Sequence, residues 1–252
     1  MRLASLNLLH GRSLSDGLVE PSRLREAVRL LSPDVVGLQE VDRDQPRSHG
    51  IDLTRTVAES LDAPHWRFVS ALIGEPGATW RAAVDDEPTG HAAYGIGLVS
   101  RLPVRSWHVL RLSAAPVRSP IMLPGTRQVI WLQDEPRVGV AAVVETELGV
   151  MTVATTHLSF VPVWNGVQLR TLTTWLATLP QPCVLLGDFN MPPPFPRVLT
   201  GWRSLAKVKT YPATDPKIQL DHVLGRGPLP PVRSVSNPEL AVSDHRALLV
   251  EL

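Results

Sequence analysis

Cys183-Val184-Leu185-Leu186-Gly187-Asp188-Phe189-Asn190 is an apolar run that ends abruptly in a polar triplet. Four apolar residues in succession, followed at once by glycine, read as a strand buried on both faces. On extended backbone the i, i+2 spacing of Asp188 and Asn190 points both polar groups to one face. A strand that delivers a carboxylate and an amide to its end implies a sheet whose rim carries chemistry.

Five other places repeat the pattern. Asn7 follows Arg2–Leu6, Glu40 ends Val35-Val36-Gly37-Leu38-Gln39-Glu40, and His157 closes Val153-Ala154-Thr155-Thr156-His157. Asp221-His222 follows Ile218–Leu220, and Ser243-Asp244-His245 precedes the last apolar run. Singly, each has an ordinary reading: Asn7 as a turn residue, Glu40 as a solvated strand end, His157 as a hydrogen-bonded core histidine. Six such places in one chain point to a shared rim.

Strand character recurs over 2–8, 34–41, 66–72, 95–100, 104–112, 138–145, 150–157, 184–188, 219–224 and 247–252. Helical spacing is read over 21–31, which opens on a proline, over 51–61, and over 167–179, with leucine at 169, 172, 176 and 179. This mixed order predicts an α/β protein: one domain over 1–252, a sandwich of two packed sheets with helices outside, not a parallel doubly wound sheet. Two stretches, 74–93 and 113–137, read as long loops of the kind that shape a site.

The chain has 25 Lys plus Arg against 24 Asp plus Glu, a net charge of +1, so it has no global basic excess of a dedicated nucleic-acid binder. Its one cysteine, Cys183, sits inside an apolar run and reads as core. The first twelve residues alternate and carry Asn7 and His10, which suits neither a signal peptide nor a membrane span, and no lipidation signal is visible. The default expectation is a cytoplasmic protein with no transmembrane segment and no obligate protein partner.

Ser5-Leu6-Asn7, Leu38-Gln39-Glu40-Val41, Thr156-His157-Leu158, Gly187-Asp188-Phe189-Asn190, Leu220-Asp221-His222 and Ser243-Asp244-His245 also match a known pattern, in order and across nearly the whole chain. In these motifs the sequence resembles the endonuclease/exonuclease/phosphatase superfamily, the group containing deoxyribonuclease I, neutral sphingomyelinases and inositol-polyphosphate 5-phosphatases. The resemblance implies a four-layer α-β-β-α sandwich with the site at one edge of the paired sheets. It implies a Mg²⁺-dependent hydrolase of phosphoester bonds, with Mn²⁺ as the alternative cation and not Zn²⁺, because the donors are oxygens. Glu40 is then the direct metal ligand, with Asn7 beside it and Asp244 near the ion. Asp188 orients or deprotonates the attacking water, and Asn190 holds that water or a phosphate oxygen. His245, fixed by Asp221, faces the phosphate as a cation, and His157 is a second phosphate contact.

Two departures bear on the substrate. Tyr94-Gly95-Ile96-Gly97-Leu98 lacks the asparagine that many members carry after Tyr-Gly, and His157 stands where apurinic-site endonucleases have a tyrosine-containing motif. With the neutral charge balance, these favour a small or surface-presented phosphoester over long duplex DNA. A DNA nuclease is the alternative, kept open by Lys207, Lys209 and Lys217 before Asp221 and by arginines 81, 118, 127 and 137 in the long loops. Ile121-Met122-Leu123-Pro124 and Val129-Ile130-Trp131-Leu132 offer an apolar lip for a lipid substrate. A catalytically silent binding module is the alternative of another class, disfavoured because each inferred role retains a competent residue type.

Overall fold

The computed structural model describes residues 1–122, 129–147 and 149–252. In chain order the first strands are β1 (Arg2–Asn7), β2 (Val35–Arg43), β3 (His65–Gly74), β4 (Trp80–Ala82), β5 (Ala93–Ser100), β6 (Val104–Leu112), β7 (Arg118–Met122) and β8 (Val129–Gln133). They are followed by β9 (Arg137–Thr146), β10 (Gly149–His157), β11 (Cys183–Asp188), β12 (Arg203–Ser204), β13 (Asp221–Arg226), β14 (Ser234–Ser236) and β15 (Leu248–Glu251). The α-helices are α1 (Pro21–Leu31), α2 (Leu53–Ser60), α3 (Trp164–Leu176) and α4 (Phe195–Thr200).

Two mixed sheets result, in the orders β14-β15-β1-β2-β5-β3-β4 and β12-β13-β11-β10-β9-β6. Strand alternation sorts the residues into three cores. Leu3, Val35, Ile96 and Leu98 of the first sheet meet Val140, Val153, Val184, Leu186 and Val223 of the second. Ala4, Leu6, Val36 and Leu38 face outward onto Leu24, Val28 and Leu31 of α1 and Val57 of α2. Cys183, Leu185 and Ala154 face outward onto Leu169, Leu172 and Leu176 of α3. The layers therefore run helix, sheet, sheet, helix, as expected, and Cys183 is a buried core residue.

The elements that differ from expectation do so for local reasons. Helix α2 begins at Leu53 because Asp52 caps it, its carboxylate accepting from the Arg55 N–H at 3.0 Å. Helix α3 starts at Trp164 and stops at Leu176, short of 179, as Pro180 approaches and disfavours helix before it. Neither long stretch is all loop. Within 74–93, β4 pairs with β3, and within 113–137, β7 and β8 form an antiparallel pair. Leu123, Pro124 and Arg127 of the expected apolar lip and arginine set lie outside the described residues. No described helix is long and apolar enough to cross a membrane.

Candidate active site

The same alternation that packs Leu3 and Leu186 between the sheets carries Asn7 and Asp188 to the upper end of that interface. On β11, Val184, Leu186 and Asp188 share a face, and the strand pairs with β10 and β13 so that Asp188 stands beside His157 on one side and Asp221 on the other. One row across three strands therefore places a histidine and two carboxylates side by side. From the facing sheet, Asn7 Nδ2 donates to Asp188 Oδ2 at 3.1 Å and to Glu40 Oε1 at 3.1 Å.

Glu40 reaches this rim through a β-bulge. In β2, Leu38 pairs with Gly97 and Val41 with Gly95, so Gln39 and Glu40 together oppose one residue of β5. Glu40 takes a left-handed backbone with φ of 52°. Strict alternation would send Glu40 outward among the helix contacts of Leu38. The extra residue keeps Gln39 and Glu40 both facing the second sheet, where Gln39 Nε2 donates to Thr155 Oγ1 at 2.8 Å, and returns Val41 to the helix side.

His245, from the turn before β15, completes the cluster. Its Nδ1 lies 2.8 Å from Asp221 Oδ2 and its Nε2 3.7 Å from Asp188 Oδ2. Burial works against the cation here, but Asp221, Asp188 and Asp244 together outweigh it and raise the His245 pKa to about 10. It is an imidazolium at neutral pH. His157 is the reverse: burial, then Arg137 and His245, depress it well below the ordinary value, so it is neutral and its 3.7 Å approach to Asp188 is not an ion pair. Asn190 Nδ2, 3.2 Å from His157 Nε2, donates to that ring, and Asn190 N donates to Asp188 Oδ1 at 2.9 Å.

The carboxylates are in excess. Burial lifts Asp188 to about 6 and Glu40 to about 7, with Asp244 and Asp188 raising Glu40 further. Asp221 Oδ1 is buried without a hydrogen-bond donor among the described residues. Asp188, Asp221 and His245 have potential ligand atoms within 4.8 Å of one another. Because His245 Nδ1 is already engaged by Asp221, the imidazolium offsets only one of the trio's two carboxylates, and the carboxylates of Asp188, Glu40 and Asp244 are left lining one cleft. That surplus of hard oxygen donors fits a divalent cation. Asn7 lies beside Glu40: its Oδ1 accepts the Leu9 N–H at 3.0 Å, and its Nδ2 braces Glu40 and Asp188.

All eight expected residues converge, and Glu40, His157, Asp188, Asn190, Asp244 and His245 line one cleft of about 530 Å³. The cleft holds residues that the motifs did not mark. Tyr211 lies with its ring 4.9 Å from that of His245, and Trp80 and Phe160 form further wall. Asn165 Nδ2 holds the Asn190 carbonyl at 2.9 Å. Arg137, read from sequence as one of several loop arginines, is 6% exposed in the cleft wall. Its nearest carboxylate, Asp134, is 3.7 Å away and its Nε has no acceptor among the described residues. A buried guanidinium so poorly matched by protein is suited to an anion entering the cleft. Arg81, by contrast, is committed to Glu87, and Arg118 is exposed.

Asp221→Asn is expected to lower kcat about 10- to 100-fold, the range for one charge-assisted hydrogen bond. Because Asp221 is the foremost of the groups that raise the His245 pKa, the alkaline limb of the pH–rate profile should also move to lower pH. An unchanged limb would remove Asp221 from control of the histidine.

No curated protein matches the chain in sequence. Among solved structures, an endonuclease/exonuclease/phosphatase from Beutenbergia cavernae superposes with a TM-score of 0.71 at 20% identity, covering 99% of this chain and 70% of the other. A mannosyl-6-phosphatase from Bacteroides thetaiotaomicron gives 0.63 at 15% identity, covering 100% and 98%. Sphingomyelinase C from Streptomyces griseocarneus gives 0.60 at 16% identity, covering 99% and 97%. These likenesses establish the fold. The family model for the endonuclease/exonuclease/phosphatase family matches residues 4–245, spanning every residue of the cleft described above, and the chain belongs to that family.

Proposed function

We propose that this protein is a metal-dependent phosphoester hydrolase, and that Mg²⁺ or Mn²⁺ is the cation. The observation that carries the reading is the position of Asp188, braced by Asn7 and Asn190 N, with the imidazolium of His245 on one side and Glu40 across the interface. Phosphoryl transfer needs positioning and charge stabilisation more than covalent chemistry, and a fixed cation beside a fixed carboxylate supplies both. The phosphatase and sphingomyelinase among the structural neighbours act on phosphoric esters, which accords with this class.

Glu40 and Asp244 would hold the cation, with Asn7 beside them. When bound, such an ion neutralises charge on the phosphate oxygens. Asp188, lifted to about 6, is close to the ideal for accepting a proton from water near neutral pH, and it takes that role here. His245, lifted to about 10, retains its proton and stabilises charge on the phosphate. Asn190 orients the water or a phosphate oxygen. His157, being neutral, contributes polar contact through its ring and not charge.

The test is turnover of bis(p-nitrophenyl) phosphate with and without Mg²⁺ or Mn²⁺. A silent binding module would give none with either. Glu40→Gln should raise the half-saturating metal concentration at least about tenfold, since an amide oxygen is a weaker ligand for a hard cation than a carboxylate. An unchanged metal requirement would take Glu40 out of the cation's shell.

Metal binding should also depend on pH with a defined sign. Glu40 and Asp188 have pKa values near 7 and 6, raised above the ordinary carboxylate range, so the metal-free protein carries protons there that a cation must displace. Apparent affinity should therefore rise with pH to about 7 and then level. Each displaced proton contributes about tenfold per pH unit below its pKa. Calorimetric titration at pH 6 and pH 8 checks this, and equal affinities at the two would contradict it.

A further inference from the structure

Between β12 and β13 the chain forms a strap that folds back on itself, with Thr210 N and Tyr211 N donating to Ile218 O, and Lys217 N and Ile218 N donating to Tyr211 O. On both sides of Tyr211 the strap is bonded to the turn that carries Asp244 and His245. Arg246 N donates to Thr210 O at 2.8 Å, Ala213 N to Asp244 O at 2.7 Å, and Arg246 Nε to Ala213 O at 2.6 Å. Thr210 Oγ1 also accepts from Leu220 N and Asp221 N, each at 3.3 Å. Tyr211 therefore shares one backbone frame with Asp221, Asp244 and His245.

The ring and the hydroxyl of Tyr211 are differently placed. The ring lies against that of His245, with centroids 4.9 Å apart and planes tilted by 49°, a favourable contact that phenylalanine would make equally well. The hydroxyl has no hydrogen-bond partner among the described residues, although Tyr211 lines the cleft together with Glu40, Asp188, Asp244 and His245. Burial first, then the fields of Asp244, Asp188 and Glu40, raise its pKa above the ordinary phenol value, so it keeps its proton at neutral pH. A donor that feels three carboxylates and bonds none of them is left for what enters between them. His245 has one N–H to give, on Nε2, because Nδ1 is engaged by Asp221, and one N–H serves one oxygen. In phosphoryl transfer the charge spreads over several non-bridging oxygens, so a second donor on the same wall has a task.

We propose that Tyr211 is a catalytic residue, whose hydroxyl donates a hydrogen bond to a non-bridging oxygen of the phosphate held beside His245. This inference rests on the hydrolase reading for the cleft and adds to it a residue that none of the six motifs marks. The contact strengthens as charge builds on the oxygen, so its effect falls on kcat more than on KM.

The test is Tyr211→Phe, which keeps the ring against His245 and removes only the hydroxyl. With methyl p-nitrophenyl phosphate and Mg²⁺, kcat should fall about 10- to 100-fold, while KM and the half-saturating metal concentration stay within about twofold. The readout that a merely structural role would not move is a cycle with the Rp and Sp isomers of methyl p-nitrophenyl phosphorothioate, in which sulfur, a weak acceptor, replaces one non-bridging oxygen at a time. The loss caused by Tyr211→Phe should shrink to about twofold on one isomer and persist in full on the other. Equal losses on the oxygen ester and both isomers, or activity within about twofold of the parent throughout, would overturn the contact. So would a rise in the metal requirement, which assigns the hydroxyl to the cation's shell, or a shift of the alkaline limb of the pH–rate profile, which makes Tyr211 a positioning residue for His245. Failure of the parent to hydrolyse bis(p-nitrophenyl) phosphate with any metal would instead sink the hydrolase reading. Calorimetric binding of orthovanadate in Mg²⁺ needs no turnover and still decides the hydroxyl: it should weaken about tenfold in Tyr211→Phe, and equal binding would remove Tyr211 from the anion's contacts.

Discussion

Asp188→Asn is expected to lower kcat for phosphoester hydrolysis by about 10²- to 10⁴-fold, the range for loss of a positioned general base, with little change in KM. The carboxylate is 1% exposed, and both its oxygens are held, Oδ1 by Asn190 N and Oδ2 by Asn7 Nδ2. Asparagine has the same shape but cannot accept the proton, and its NH₂ would meet donors where the carboxylate met them. Ground-state binding of phosphate should survive, because the cleft cations His245 and Arg137 remain. Stability should not fall through loss of charge. A carboxyl whose folded-state pKa is raised to about 6 costs stability once pH exceeds its unfolded value, so removing the charge relieves that cost at neutral pH. Single-turnover kinetics and thermal melting check the two halves. A variant altered only in KM would assign Asp188 to substrate binding.

Gly187→Ala is expected to destabilise the fold by roughly 3–5 kcal/mol, summing backbone strain and a steric clash. Gly187 has φ of +147°, and a Cβ built there would lie 2.1 Å from the carbonyl oxygen of Thr156, its pairing neighbour on β10. The obstacle is backbone inside a ladder, so no side-chain rotation relieves it. For a chain of this length the melting temperature should drop by about 10 °C or more. The damage falls on the row that holds His157 and Asp188, so activity at low temperature should decline along with stability. A melting temperature within about 2 °C of the parent would mean that β10 and β11 separate here at little cost.

The fold was legible where a pattern was long enough to have a period. Helix α1 falls on the expected residues because Pro21 opens it and Leu24, Ala27, Val28 and Leu31 recur at helical spacing. Strand β6 likewise coincides with its reading. Elements of two, three and six residues, β12, β14 and α4, carry no period and were not foreseen. The rim residues were legible because each follows a run that alternation alone carries to an edge. Arg137 was visible only as a charge, since nothing local distinguishes a buried guanidinium from a solvated one. Tyr211 had no signal, because its place beside His245 depends on a strap folded by contacts far from it in sequence. The bulge at Glu40 was equally silent: an inserted residue in a ladder is a property of two strands, and the motif read as an uninterrupted one.

That bulge sets stability and activity against each other at a single position. An L-residue at φ of 52° pays a backbone penalty that glycine would not, and here the side chain it presents is a carboxylate pushed up to about 7 by burial. Replacing Glu40 with glycine would relax both strains at once, at the expense of the cation site. A population selected only for heat resistance should therefore drift toward loss of Glu40, and one screened for turnover should retain it despite the strain. Engineering a hardier form of this enzyme is better directed at the exposed turns and helix ends, with Glu40 left in place despite its left-handed backbone.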